Sequence, residues 1–169
     1  IGALLMSTWG GPKLRIHGVL AGGAISFAIG DFLFAVGRSV PVWVFAAIFS
    51  TAFIPLISGS GLAIFQAKVA RDVQGRIFAV RDVIQMSLMP LGFFLAGPLA
   101  DRLFEPAMQP GGAFAASLGW LVGTGPGAGM GLMFVGTSLL GTLICLTGYL
   151  IPAVRRVEKD LPDAERQPA

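Results

Sequence analysis

A chain of 169 residues in which 12% of side chains are charged and 54% are hydrophobic lacks the polar surface that a water-soluble domain, with about 25% charge, uses to cover itself. Twelve Lys and Arg against nine Asp and Glu give a net charge of +3, but the basic residues fall between apolar runs without aromatic interleaving or a recognition motif, which argues against nucleic acid as a partner. With a mean hydropathy of +0.78, the composition predicts an all-α, polytopic transmembrane helix bundle, with the lipid bilayer as its principal partner.

In chain order, Ile1 to Trp9 is apolar but shorter than the about 20 residues that cross a bilayer. It reads as the end of a further helix whose start lies upstream, closed by Gly10, Gly11 and Pro12. Lys13 and Arg15 then precede the first full span, 16–36. This span carries Gly18, Gly22, Gly23 and Gly30, which let a neighbouring backbone approach closely. His17, at its boundary, reads as an interfacial imidazole.

Asp31 is the only acid well inside an apolar span. A carboxylate in lipid costs several kcal/mol unless it is paired, protonated or hydrated. Two readings follow: a proton-titrating or cation-contacting group, or an intramembrane ion pair with Arg38 or Arg102.

A short turn at residues 37–41 leads into the second span, 40–65, where Pro55 with Gly59 and Gly61 marks a kink. Residues 67–85 mix charge with apolar side chains. They are expected to lie at the interface or to extend the third span, 83–100, in which Pro90, Gly92, Gly97 and Pro98 mark a second bend. Each break reads equally as a static kink or a moving hinge. Gln66 and Gln85 stand near the same ends of spans two and three, either facing a translocation path or bonding between helices.

The connection from Arg102 to Gly127 contains Phe114, Leu118, Trp120 and Leu121, an apolar patch expected to form a short interfacial helix. The fourth span is 128–153, and the tail at 154–169 is charged, bears two prolines and is expected to be solvated. Ten of the twelve basic residues fall at one end of the alternating spans, with Arg38 and Arg102 at the other. By the positive-inside rule, the tail and basic loops face the cytoplasm. One His, one Cys and no paired intramembrane acids provide no catalytic or metal constellation, so neither enzyme activity nor a cofactor is expected.

Three stretches carry a resemblance to the C-terminal half of a major facilitator superfamily transporter, in its drug and siderophore exporter branch. Gly2-Ala3-Leu4 running into Gly10-Gly11-Pro12-Lys13-Leu14-Arg15 resembles that family's glycine and basic loop between helices eight and nine. The segment with Gln74, Gly75 and Arg76 resembles the loop after helix ten, and Pro90-Leu91-Gly92 through Gly97-Pro98-Leu99-Ala100-Asp101 resembles helix eleven. No acid stands near Met6 and Ser7, where the family's loop often carries one.

The resemblance implies that residues 1–153 are part of a larger transporter, completed by missing N-terminal helices of the same chain. It further implies residence in the plasma (inner) membrane, and proton-coupled efflux of a small molecule (a drug, siderophore or metabolite) by alternating access. A non-catalytic membrane subunit or anchor is the alternative reading of four glycine-faced helices.

Overall fold

The computed structural model describes Pro12 and residues 14–164. The expected N-terminal partial helix, with Gly10, Gly11 and Lys13, lies outside the described residues. Among those described, four helices are long and apolar enough to cross a membrane: α1 (Arg15–Val36), α2 (Val40–Lys68), α3 (Arg71–Met108) and α5 (Ala128–Leu150). Short helices α4 (Ala115–Val122), α6 (Pro152–Arg155) and α7 (Val157–Asp160) complete the all-α bundle.

The glycines of α1 place it at the centre of a layer, between α2 and α5. On one side, a Cβ at Gly18 would strike the Ser60 hydroxyl, one at Gly22 would stand 3.3 Å from Leu56 and Ile57, and one at Gly30 would stand 2.7 Å from Ser50 Cβ. On the other, Gly23 abuts Cys145 Sγ, Phe27 fills the space at Gly141, and Leu20 fills that at Gly148. Both sets run in opposite sequence directions, so α2 and α5 each pack antiparallel to α1. Lipid tails are as apolar as leucine, and such close backbone approach, not water exclusion, is what holds helices together in a bilayer.

The side chains that look away from these seams are large and apolar. Phe94 on α3 and Leu150 on α5 are each 80% exposed. These are the surfaces that lipid or further helices cover.

The third span departs furthest from expectation. Of the two courses expected for residues 71–82, the structure takes the second, extending the third span N-terminally; the departure is at the other end, where the helix runs on past residue 100 to Met108. Arg102, expected in the connection, therefore sits inside α3, in a π-helical turn at Ala100–Phe104 that follows directly on Pro98. Between its ends α3 stands off the layer. None of Arg71–Leu99 is buried, and open space surrounds Gly92 and Gly97.

At its far end α3 rejoins the bundle. Met108 is fully buried with Ala128 and Leu132, flanked by Phe104, Leu118 and Val122; burying such a side chain contributes about 2 kcal/mol. The apolar patch forms α4 as expected and contributes Leu118 to this cluster.

Glu105 joins the same region to α5. Its carboxylate accepts from the backbone N–H of Gly127 at 2.6 Å and of Gly129 at 3.0 Å, satisfying unpaired donors at the α5 N-terminus and opposing the helix dipole. Glu105→Ala is expected to destabilise the bundle by about 1 kcal/mol, read as a lower thermal midpoint in detergent, with Glu105→Gln intermediate.

The tail is not solvated throughout. Residues 152–163 fold back under the basic end of the layer as α6, α7 and a short extension. Glu158 Oε2 accepts from the Ile16 N–H at 2.9 Å, capping α1. Lys68, at the last turn of α2, donates to the Glu158 carbonyl at 2.8 Å and to the Leu161 carbonyl, and pairs with Asp163 at 3.0 Å. Charge and proline in the sequence signal solvation, but the orphan donors at the start of α1 and the cation at the end of α2 offer these groups better partners than their local chain does.

Candidate functional site

The layer brings one polar cluster into its apolar seam. Within α1 the residues Ser26–Asp31 form a π-helical turn, in which the Phe32 N–H reaches back five residues to the Phe27 carbonyl. Such single-turn insertions shift every following side chain around the helix axis and occur frequently at functional sites. Gly30, buried in this turn, allows Ser50 of α2 to lie against the α1 backbone.

Ser50 Oγ then donates to Asp31 Oδ1 at 2.8 Å. Ser26 Oγ lies 3.3 Å from both the hydroxyl and the carbonyl oxygen of Ser50. From α5, Ser138 is fully buried, and its hydroxyl has no hydrogen-bond partner. Phe134 packs on Phe34 with ring centres 5.6 Å apart, and Gly141 abuts Phe27, so Ser138 lies level with the π turn.

The ion pair expected of Asp31 does not form. Among the described residues no Lys, Arg or His lies within 4 Å of its carboxylate. The helix ends at Val36 and Gly37 is extended, with ψ of 133°, so Arg38 leaves the helical register that would have returned it to Asp31. Its guanidinium instead donates to the Trp120 carbonyl of α4 at 3.2 Å. Arg102 is exposed on α3.

Arg38 also lines a half-open cavity of about 530 Å³ at that end, walled by Phe34, Trp43, Val122, Met130 and Phe134. At the basic end a second, more apolar cavity of about 540 Å³ lies between α1, α2 and the folded tail, lined by Ile16, Val19, Ile64, Phe65, Val157 and Leu161.

The two glutamines are not brought to one surface of the layer. The Gln66 side chain borders a small cavity with Arg15, Ala63 and Asp163, whereas Gln85 lies on the exposed face of α3 beside Asp82 and Met86. Gln74 donates to the Gln66 and Val69 carbonyls at 3.0 and 2.8 Å, closing the C-terminus of α2. Gly75 and Arg76 are exposed on the first turns of α3. Arg15 donates to the Ala63 carbonyl at 2.9 Å, tying α1 to α2. Pro55, Gly59 and Gly61 lie within continuous α2, and Pro90 within continuous α3.

Sequence reasoning missed Ser26, Ser50 and Ser138. A signal for Ser26 is present: Gly18, Gly22, Ser26 and Gly30 recur every four residues, so a hydroxyl stands in the small-residue stripe five residues before the acid. Nothing local marks Ser50 or Ser138. Among the described residues no group of three or more His, Cys, Asp or Glu converges as a metal site.

No family model matches the chain, and no solved structure matches it. The chain is similar to the macrolide efflux protein A of Streptococcus pyogenes, being 33% identical over 106 residues. The same protein from S. pyogenes serotype M6 matches to the same degree. The match covers 61% of this chain and 26% of either relative, so the chain corresponds to about a quarter of their length. Four helices long and apolar enough to cross a bilayer, together with this likeness, mark an integral membrane protein that is similar over part of its length to efflux proteins.

Proposed function

We propose that the chain is the C-terminal part of a major facilitator superfamily exporter, which moves a small amphipathic molecule out of the cell by alternating access. The observation that carries this reading is the carboxylate of Asp31, set in an apolar seam against the Ser50 hydroxyl with no basic partner within 4 Å among the described residues. A charge held that way in lipid has the character of a site that exchanges a cation as the helices move. An inward cation gradient drives export, the proton being the ion that the family resemblance implies.

The similarity to macrolide efflux proteins makes macrolides and other bulky amphipathic drugs the first substrates to screen, ahead of siderophores and metabolites. The uncovered face of α3 favours further helices of the same chain as its packing partner over an autonomous four-helix anchor. The protein acts by carrying its substrate and not by chemistry on it, and its site is the plasma (inner) membrane.

Expression of the complete gene in a drug-sensitive host tests the function. Efflux of preloaded macrolide that stops when the ion gradient is collapsed supports export, and retention equal to that of the empty vector removes it. The basic end and the folded tail face the cytoplasm in this reading. A single Cys introduced at Ala164 in a Cys145→Ala background is therefore expected to react with a membrane-impermeant maleimide only in permeabilised cells; labelling of intact cells reverses the topology.

A further inference from the structure

Arg38 is a cation without a counter-charge, at the end of the bundle where cations are scarce. Ten of the twelve Lys and Arg fall at the other end of the spans. Its guanidinium donates to the Trp120 carbonyl, and among the described residues no carboxylate lies within 4 Å of it. A guanidinium presents several N–H donors in a planar fork that matches phosphate or carboxylate, so a single carbonyl leaves most of them unspent.

The cavity that Arg38 lines has a fixed shape. Trp43 Nε1 donates to the Gly37 carbonyl at 2.9 Å, which pins the indole in one wall. Another wall is formed by the connection from α4 to α5, within which Gly123, Gly125 and Gly127 take φ of 87°, 99° and 87°, a left-handed backbone that residues with a Cβ resist. Gly125 N–H donates to the carbonyl of buried Met108 at 3.1 Å, anchoring this wall to the core.

At about 530 Å³ the space falls in the range of about 300–1,000 Å³ that small-ligand sites occupy. Arg38 is the one ionisable residue among its lining, beside Phe34, Met130 and Phe134. Glu105, bonded to the Gly127 N–H at its edge, spends its two oxygens on α5 amides and does not line it. The matching ligand is an anion with an apolar body. Position decides its source: Trp43 in the wall and Trp120, whose carbonyl Arg38 bonds, are both exposed, and exposed tryptophan marks the depth at which lipid headgroups begin. Phe34, Met130 and Phe134 are exposed as well, so an apolar body lying on them continues into the surrounding acyl chains.

We infer that this cavity is a headgroup site for an anionic phospholipid such as phosphatidylglycerol, with the phosphate on Arg38 and the glycerol and first methylenes against Phe34, Met130 and Phe134. The inference goes beyond the transport reading and does not depend on it. A lipid held there bridges α1, α5 and the connection before α5.

The complete protein is purified in a neutral maltoside detergent and doped with phosphatidylglycerol or with the same mole fraction of phosphatidylcholine. Thermal unfolding and the number of lipids retained in native mass spectrometry are the readouts. The wild type is expected to unfold at a higher midpoint with phosphatidylglycerol than with phosphatidylcholine, and to retain phosphatidylglycerol in preference. Arg38→Gln is expected to need at least about tenfold more phosphatidylglycerol for half the effect, and Arg38→Lys to fall between, because an ammonium keeps the charge without the fork. Arg102→Gln removes the same charge at the same end from outside the cavity and is expected to match the wild type. Loss of the Trp120 bond lowers the midpoint in both lipids alike, so the difference between lipids reports the site alone.

A wild type that does not distinguish the two lipids overturns the site, as does a phosphatidylglycerol response that survives Arg38→Gln or is lost equally in Arg102→Gln. Glycerol 3-phosphate that reproduces the protection in lipid-free detergent puts a soluble phosphate in place of the lipid and overturns it likewise. Efflux that fails while the lipid response holds removes the transport reading alone, and a missing lipid response with efflux intact removes this inference alone.

Discussion

Replacing Gly129 with alanine is expected to destabilise the bundle by about 3 kcal/mol, at the upper end of what overpacking a tight contact costs. The new Cβ would collide with the backbone of Glu105 and stand 2.5 Å from the Phe104 carbonyl carbon. Main chain cannot rotate aside as a side-chain tip can. The two helices must separate, and with them goes the bond from Gly129 N–H to the Glu105 carboxylate. The thermal midpoint in detergent and the yield of folded protein both report the change. Gly136→Ala, seven residues on in the same helix and facing open space, is the control. It gains helix propensity and is expected to be neutral or stabilising by up to about 1 kcal/mol, so a matching loss in both variants would place the effect outside the α3–α5 contact.

The second large effect falls on transport and not on folding. Asn at position 31 keeps an oxygen that accepts from Ser50 and removes the charge. Asp31→Asn is therefore expected to reach the membrane at normal abundance, yet to lose gradient-driven efflux at least about tenfold, the factor that a coupling free energy of only ~1.4 kcal/mol represents. Efflux measured in cells with matched expression, or in proteoliposomes with an imposed gradient, reads it. Unchanged export would strip Asp31 of any part in coupling. Ser50→Ala is expected to fall between the two, because the carboxylate stays while its one close donor is lost.

The spans were legible because their signal is additive: some twenty apolar residues in a row outweigh any single misplaced side chain. The first and second spans end in the structure within three residues of where hydropathy ends them. The third does not, because Arg71, Asp72, Arg76, Arg81 and Asp82 depress the hydropathy of a stretch whose helical propensity is untouched by charge. The partner of Asp31 was illegible for a different reason. A contact with Arg38 at seven residues' distance presumes an unbroken helix, and α1 contains a π turn before Asp31 and stops before Arg38. Ser50 becomes the partner through the register of α1 on α2, which is set by the fit at Gly18, Gly22 and Gly30 taken together. Tertiary fit of that kind has no local signature, and the reach of Glu158 back to Ile16 shares the same origin.

The two glutamates at helix starts restrict how such a bundle can move. Glu158 pins the first turn of α1 to the segment after α5, and Glu105 pins the first turn of α5 to the end of α3. Sliding α1 past α5 by even one residue's rise, about 1.5 Å, would pull the Glu158 contact beyond bonding distance, and the same slide of α3 past α5 would break the Glu105 contacts, whereas a swing about the glycine-lined seam leaves them whole. Piston strokes are thus blocked and pivoting is free, as in a door hung on pins at top and bottom.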